Sequence, residues 1–254
     1  MLAGYSDVVR LSVLQIGIGS SMADLWRDFL SNQDEVIDKW RHYFPAYERH
    51  FEQWRDRSMM FLEIGVAKGG SLRMWQRYFG PYASIVGVDI DENCLKFESP
   101  GVHVKIGSQA DLEFLGTLVD EFGPPDVVLD DGSHHMDDVI TTFEFLYQRM
   151  RSNSVYMIED LHGGFLEEYG GGPQSARNFF NYAHAGVMQM NRHWGREPEE
   201  RNPVFDDTRG ISFYDSLVCF EKGSPRTLVA DQVGRSKTKG IRGRHATHTH
   251  TVVR

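Results

Sequence analysis

Leu62-Glu63-Ile64-Gly65-Val66-Ala67-Lys68-Gly69-Gly70-Ser71 reads as the end of a buried strand, a glycine-rich turn and the opening of a helix. Residues 59–64 are apolar apart from Glu63, as in a strand covered on both faces, and 72–79 resume with helical spacing. Glycines at such a junction let the backbone turn tightly and approach a ligand, while the helix start offers free amide donors. Working outward, 84–88, 102–106, 126–129 and 155–158 are further short runs rich in β-branched residues, and 112–122 and 136–150 carry helical spacing between them. Strand and helix in alternation imply a parallel sheet with right-handed crossovers. Residues 211–214 and 217–221, separated by Asp215 and Ser216, predict a closing antiparallel hairpin. The fold class is therefore α/β: a doubly wound, Rossmann-like, seven-stranded sheet, mostly parallel, ending in that hairpin.

The flanks divide the chain into an N-terminal helical extension (1–58), the sheet domain (59–223) and a basic tail (224–254). Residues 24–51 have apolar side chains near a helical period, with a break expected around Pro45. Residues 163–208 carry a glycine run and a helical stretch at 175–190, and are expected to form a lid or substrate-binding insertion over the carboxyl edge of the strands. The mildly apolar 8–18 is interrupted by Arg10 and lacks a cleavage site, so a buried segment is expected there rather than a signal peptide.

Composition narrows the function. The net charge is −9, yet the last twenty residues hold six Lys or Arg and no acid, so the body is more acidic still. An acidic body argues against nucleic acid as the main partner, because phosphate binding rests on clustered Lys and Arg. The tail reads as solvated chain, and its His245, His248 and His250 resemble a metal tract by composition alone. No apolar run approaches a membrane span, and two cysteines, Cys94 and Cys219, give no disulfide framework. A cytoplasmic protein with no membrane partner is expected.

The strand ends carry the chemistry. The turn at Gly65 and Gly69 places Ala67 where a nicotinamide-binding loop needs its second glycine, and Glu63 would repel a pyrophosphate but suits a cationic ligand. Asp89 ends the second strand, where a carboxylate accepts from both ribose hydroxyls of an adenosine ligand. Ser108 and Gln109 end the third and are candidates to reach the adenine, with a plain turn as the rival reading. Then Asp130-Asp131-Gly132-Ser133-His134-His135 and Glu159-Asp160-Leu161-His162 deliver two acid pairs, with histidines, to one edge. Four acids there repel unless something positive sits among them. Hard oxygen ligands suit Mg²⁺ or a similar divalent ion rather than zinc.

At these residues the sequence resembles the metal-dependent sugar O-methyltransferases of macrolide antibiotic biosynthesis, within the class I S-adenosylmethionine-dependent methyltransferases. The resemblance runs over 38–223 and includes Asp38-Lys39-Trp40, Tyr47-Glu48-Arg49-His50-Phe51 and Ser71-Leu72-Arg73-Met74-Trp75. It implies that Glu63, Asp89 and Asp130 line an S-adenosylmethionine site and that Asp131, Glu159 and Asp160 hold Mg²⁺; Gly65, Gly69, Ser71, Ser108, Gln109 and Tyr47 complete the expected cofactor-binding set. It further implies a glycosylated small molecule as acceptor, with Asp131 and His134 as catalytic residues. His134 is the implied general base, with His135 and His162 as rivals. Ser108 stands where the family usually has an acid, and Gly163-Gly164 replace a polar and aromatic pair. The macrolide enzymes carry a substantial N-terminal domain that builds their oligomer, whereas 37 residues precede Asp38 here, so a homo-oligomer stays open. A catechol-like or other vicinal diol is the alternative acceptor. A non-catalytic binding module and a nicotinamide-dependent oxidoreductase are the readings from other classes.

Overall fold

The apolar runs become five parallel strands: β1 (Met59–Ile64), β2 (Ala83–Asp89), β3 (Val102–Ile106), β4 (Val127–Asp130) and β5 (Val155–Ile158). They are seen in a computed structural model that describes residues 24–194 and 202–223. The expectations for 8–18 and for the tail lie outside the described residues. The hairpin forms from β6 (Thr208–Tyr214) and β7 (Leu217–Lys222). β7 inserts antiparallel between β5 and β6, giving the order β3-β2-β1-β4-β5-β7-β6. The chain winds outward in both directions from the boundary between β1 and β4, the switch point where such sheets bind ligands.

Helices cover both faces. On one, α1 (Asp24–Leu30), α2 (Phe44–Phe51) and α3 (Gly70–Phe79) bury Leu25, Tyr47, Phe51 and Trp75 against Phe61, Ile85, Leu129 and Met157. On the other, α4 (Leu112–Phe122), α5 (Met136–Arg149) and α6 (Phe179–Asn191) bury Leu115, Phe143, Leu146 and Phe179 against Leu62, Val128, Tyr156 and Phe220. The two sets alternate along β1, β2, β4, β5 and β7, as the period of two requires. The N-terminal extension thus shares one core with the sheet.

The structure moves one boundary. The helical stretch read over 24–51, with a break expected around Pro45, is two helices. Pro45 falls in the first turn of α2, where its missing N–H costs nothing, so it starts a helix rather than breaking one. Residues 32–40 between them are not helical. This stretch passes so close to the start of α3 that a Cβ on Gly70 would lie 2.2 Å from the Glu35 carbonyl oxygen. Within 163–208, α6 packs on the sheet, with Phe179 against Phe143 and Phe220. Among the described residues, no helix is long and apolar enough to cross a membrane.

Candidate active site

Strand register builds the site. Ile64 pairs with Val88 on one side and Asp130 on the other, and Asp130 pairs with Ile158. Their successors Gly65, Asp89, Asp131 and Glu159 therefore form the next row, at the carboxyl edge. Because neighbours along a strand face opposite sides, Glu63, Asp131 and Glu159 lie on the α1–α3 side while Asp130 turns towards α5.

That alternation separates the first acid pair. Asp130 is buried, accepts from Tyr156 Oη at 3.0 Å and Gln109 Nε2 at 3.2 Å, and does not line the cavity. Burial pushes its carboxyl up to about 7, partly offset by those donors. Gln109 Oε1 accepts from Ser133 N at 2.6 Å, so this network sets the turn that carries His134.

On the other side stands a lysine that the sequence reading did not single out. The Lys39 ammonium lies 2.5 Å from Asp131 Oδ2, 3.0 Å from Glu159 Oε2 and 3.6 Å from Glu63 Oε1, its side chain only 3% exposed. Burial alone would lower its pKa, but the three carboxylates reverse this and hold it well above the usual value. Burial pushes Glu159 and Glu63 up, and Lys39 pulls both back without restoring the ordinary range. Both directions follow from three acids sharing one cation: the lysine stays charged and the surplus negative charge stays costly. Glu159 Oε1 also accepts from Tyr47 Oη at 2.5 Å. Glu63 is fixed by Ser71 Oγ at 2.8 Å and Trp75 Nε1 at 3.2 Å.

The edge opens into a cavity of about 820 Å³. Of the residues assigned to the cofactor, Gly65, Asp89, Ser108 and Gln109 line it; Glu63, Gly69, Ser71, Asp130 and Tyr47 stand behind. Asp89 Oδ2 accepts from Val66 N and Ala67 N, both at 2.9 Å, and Oδ1 from Asp91 N at 2.9 Å. Burial would raise this carboxyl, but the backbone donors outweigh it and its pKa falls below the ordinary value.

At the other end of the cavity, Asp131, His134 and Asp160 each offer a ligand atom within 4.8 Å of the others. His134 Nε2 is 3.9 Å from both Asp131 Oδ1 and Asp160 Oδ2. Tyr43 Oη donates to Asp160 Oδ1 at 2.7 Å. His134 (φ 58°) and Asp160 (φ 52°) hold left-handed backbone conformations, strain of a kind that gathers at functional sites. His135 and His162 are exposed and do not line the cavity; His162 Nδ1 lies 2.7 Å from Ser216 Oγ. Glu159, named with Asp131 and Asp160 as a metal ligand, lines the same cavity and accepts from Lys39 and Tyr47. Tyr43, which the sequence reading did not name, was signalled by its spacing with Tyr47 and Phe51 along one helical face. Trp40 and Arg41 also line the cavity.

No family model matches the chain. It is 33% identical over 231 residues to the 8-demethyl-8-(2-methoxy-alpha-L-rhamnosyl)-tetracenomycin-C 3'-O-methyltransferase of Streptomyces olivaceus, covering 84% of this chain and 57% of that protein. It is 38% identical over 195 residues to the mycinamicin VI 2''-O-methyltransferase of Micromonospora griseorubida, covering 72% and 48%. The structure of the MycE methyltransferase from the mycinamycin biosynthetic pathway, in complex with Mg, SAH and mycinamycin VI, superposes with a TM-score of 0.70 at 28% identity. That match covers 80% of this chain and 54% of the other. The chain thus spans about half the length of these relatives.

Proposed function

As a member of the class I S-adenosylmethionine-dependent methyltransferases, similar to the sugar O-methyltransferases of antibiotic pathways, this chain is, we propose, a metal-dependent O-methyltransferase acting on a sugar hydroxyl of a glycosylated small molecule. The observation that carries the reading is the shared cavity. One end is walled by Gly65, Asp89, Ser108 and Gln109, the other by Asp131, His134 and Asp160, so a cofactor and a deprotonating centre would sit side by side.

Asp89 is pre-aligned by three backbone amides to accept from ribose hydroxyls. The carboxylates of Asp131 and Asp160 converge at the cavity and fit a divalent ion, and we assign them, with Glu159, to hold it. Such an ion, when bound, lowers the pKa of a coordinated hydroxyl. His134 Nε2, 3.9 Å from Asp131 Oδ1 and Asp160 Oδ2, would accept the hydroxyl proton, and these two carboxylates would stabilise the resulting imidazolium. Exclusion of water falls to the walls of the cavity. A cytoplasmic location is proposed on the same footing, from two buried and unpaired cysteines.

The test is methyl transfer from S-adenosylmethionine to a panel of rhamnosides and catechols, with magnesium and with chelator. A magnesium-dependent methyl ether on a rhamnoside is expected. Undiminished transfer in chelator refutes the metal assignment, and transfer to catechols alone moves the acceptor to a vicinal diol.

A further inference from the structure

The Lys39 ammonium sits where the fold gathers Glu63, Asp131 and Glu159, and we propose that it is an internal counter-cation. It holds the acid cluster assembled and aims Asp131 at the cavity, so that the fold does not depend on a bound divalent ion. The inference rests on the proposed function in taking Asp131 and Asp160 as metal-binding residues.

An account of the oxygens supports the division. Ser71 and Trp75 donate to Glu63, and Tyr47 and Lys39 donate to the two oxygens of Glu159. Asp131 is split between two environments: Oδ2 is held by Lys39, while Oδ1 faces His134. The protein therefore occupies the inner side of the cluster with its own cation and leaves the outer side, with Asp131 Oδ1, His134 Nε2 and Asp160, facing the cavity. Lys39 is a positioning residue: its short contact to Oδ2 fixes the rotation of the Asp131 carboxylate.

The charge balance gives the consequence. Glu63, Asp131 and Glu159 share one lysine. Without it, a buried group of acids has no internal counter-charge, which is strongly destabilising. The remaining remedies are uptake of protons or of a cation from solution. Cation binding then becomes part of folding, as in small metal-dependent domains.

The experiment measures thermal unfolding of the full chain in chelator and in magnesium chloride, with calorimetric magnesium titration, for wild type, Lys39→Met and Lys39→Met/Glu159→Gln. Wild type is expected to melt only about 2–6 °C higher in magnesium. Lys39→Met should melt roughly 6–20 °C lower than wild type in chelator and gain at least about twice the wild-type increment from magnesium. The double variant, which removes one surplus charge, should recover at least half of the loss in chelator. If Lys39→Met does not fold in chelator, refolding from urea with and without magnesium reads the same dependence, and recovery with magnesium alone supports the proposal. Three results overturn it: Lys39→Met melting with wild type in chelator, a magnesium increment no larger than that of wild type, or a double variant as unstable as the single one. A wild type that shows neither heat nor shift with magnesium sinks the metal reading instead. The chelator comparison of single and double variants then still decides the role of Lys39.

Discussion

Replacing Gly65 by alanine tests whether β1 and β4 must meet as closely as they do. Gly65 has φ 92°, and a Cβ there would lie 2.0 Å from the Asp131 carbonyl oxygen, 2.8 Å from its carbon and 3.3 Å from Gly132 Cα. The first distance is a full ångström inside the 3.0 Å that real Cβ atoms keep. Neither side can yield cheaply, because Gly65 N donates to Val88 O at 2.8 Å and Asp131 N to Ile64 O at 2.9 Å. Backbone strain of about 1–3 kcal/mol adds to an overpacking cost of about 1–3 kcal/mol. A total near 4 kcal/mol lowers the melting temperature by roughly 8–16 °C in a domain of this size. Since the displaced group is the backbone of Asp131, affinity for S-adenosylhomocysteine and for magnesium should fall by about tenfold or more, the equivalent of about 1.4 kcal/mol. Gly170→Ala is the control: its φ of 75° is similarly unfavourable, but nothing lies within 4 Å. It should cost about 1–2 kcal/mol and leave both affinities unchanged. The measurements are thermal unfolding by circular dichroism and calorimetric titration. A Gly65→Ala protein matching Gly170→Ala in melting temperature and ligand affinity would refute the close-approach argument.

Three further outcomes are expected. His134→Gln should slow methyl transfer by about 10²–10⁴-fold while leaving calorimetric affinity for S-adenosylhomocysteine intact; an unchanged rate would move the base to another group. Asp89→Asn replaces one carboxylate oxygen by an amide that cannot accept from the backbone, so cofactor affinity should fall by about 10–100-fold, and retention of full affinity would remove Asp89 from the cofactor site. His50 is buried beside Glu221 and Tyr214, and burial lowers its pKa below the usual value despite the pull of Glu221. The unfolded chain therefore takes up this proton first, so its contribution to stability is complete above about pH 6.5 and is lost as pH falls below that. Urea unfolding at pH 7.5 and 5.5 should show a smaller decline for His50→Phe than for wild type, and an equal decline would assign the loss elsewhere.

Parallel strands are buried on both faces and so announce themselves as continuous apolar runs. The spans read from the sequence for 59–64, 102–106, 155–158 and 112–122 coincide with β1, β3, β5 and α4. The N-terminal extension is helical as read, but its interruption falls at 32–40 rather than at Pro45, for a physical reason. Val36 and Trp40, whose spacing suggested a continued helix, are 58% and 55% exposed. Apolar spacing reports burial only when the residues are buried. Lys39 was illegible differently: its partners Asp131 and Glu159 lie 92 and 120 residues away, and a lone lysine in a polar stretch reads as solvated. The repulsion among the acids did call for a positive charge, and the sequence reading supplied it with a metal alone.

The period of two along a strand turns that repulsion into a division of labour. Asp130 and Asp131 are adjacent, so they cannot both face one ion from an extended backbone. Asp130 goes to the α5 side, where Gln109 and Tyr156 hold it. Asp131 goes to the α1–α3 side and the cavity. Glu159 and Asp160 face the same constraint, and the left-handed backbone at Asp160 relaxes it by turning that carboxylate towards His134 while Glu159 stays beneath with Lys39. On β4, Asp131 alone serves both Lys39 and the cavity, and its neighbour Asp130 is taken up by the Gln109 network that sets the turn before His134. After β5 the two duties fall to two residues, Glu159 to Lys39 and Asp160 to His134, so the pairs that look redundant in the sequence are those the sheet geometry separates.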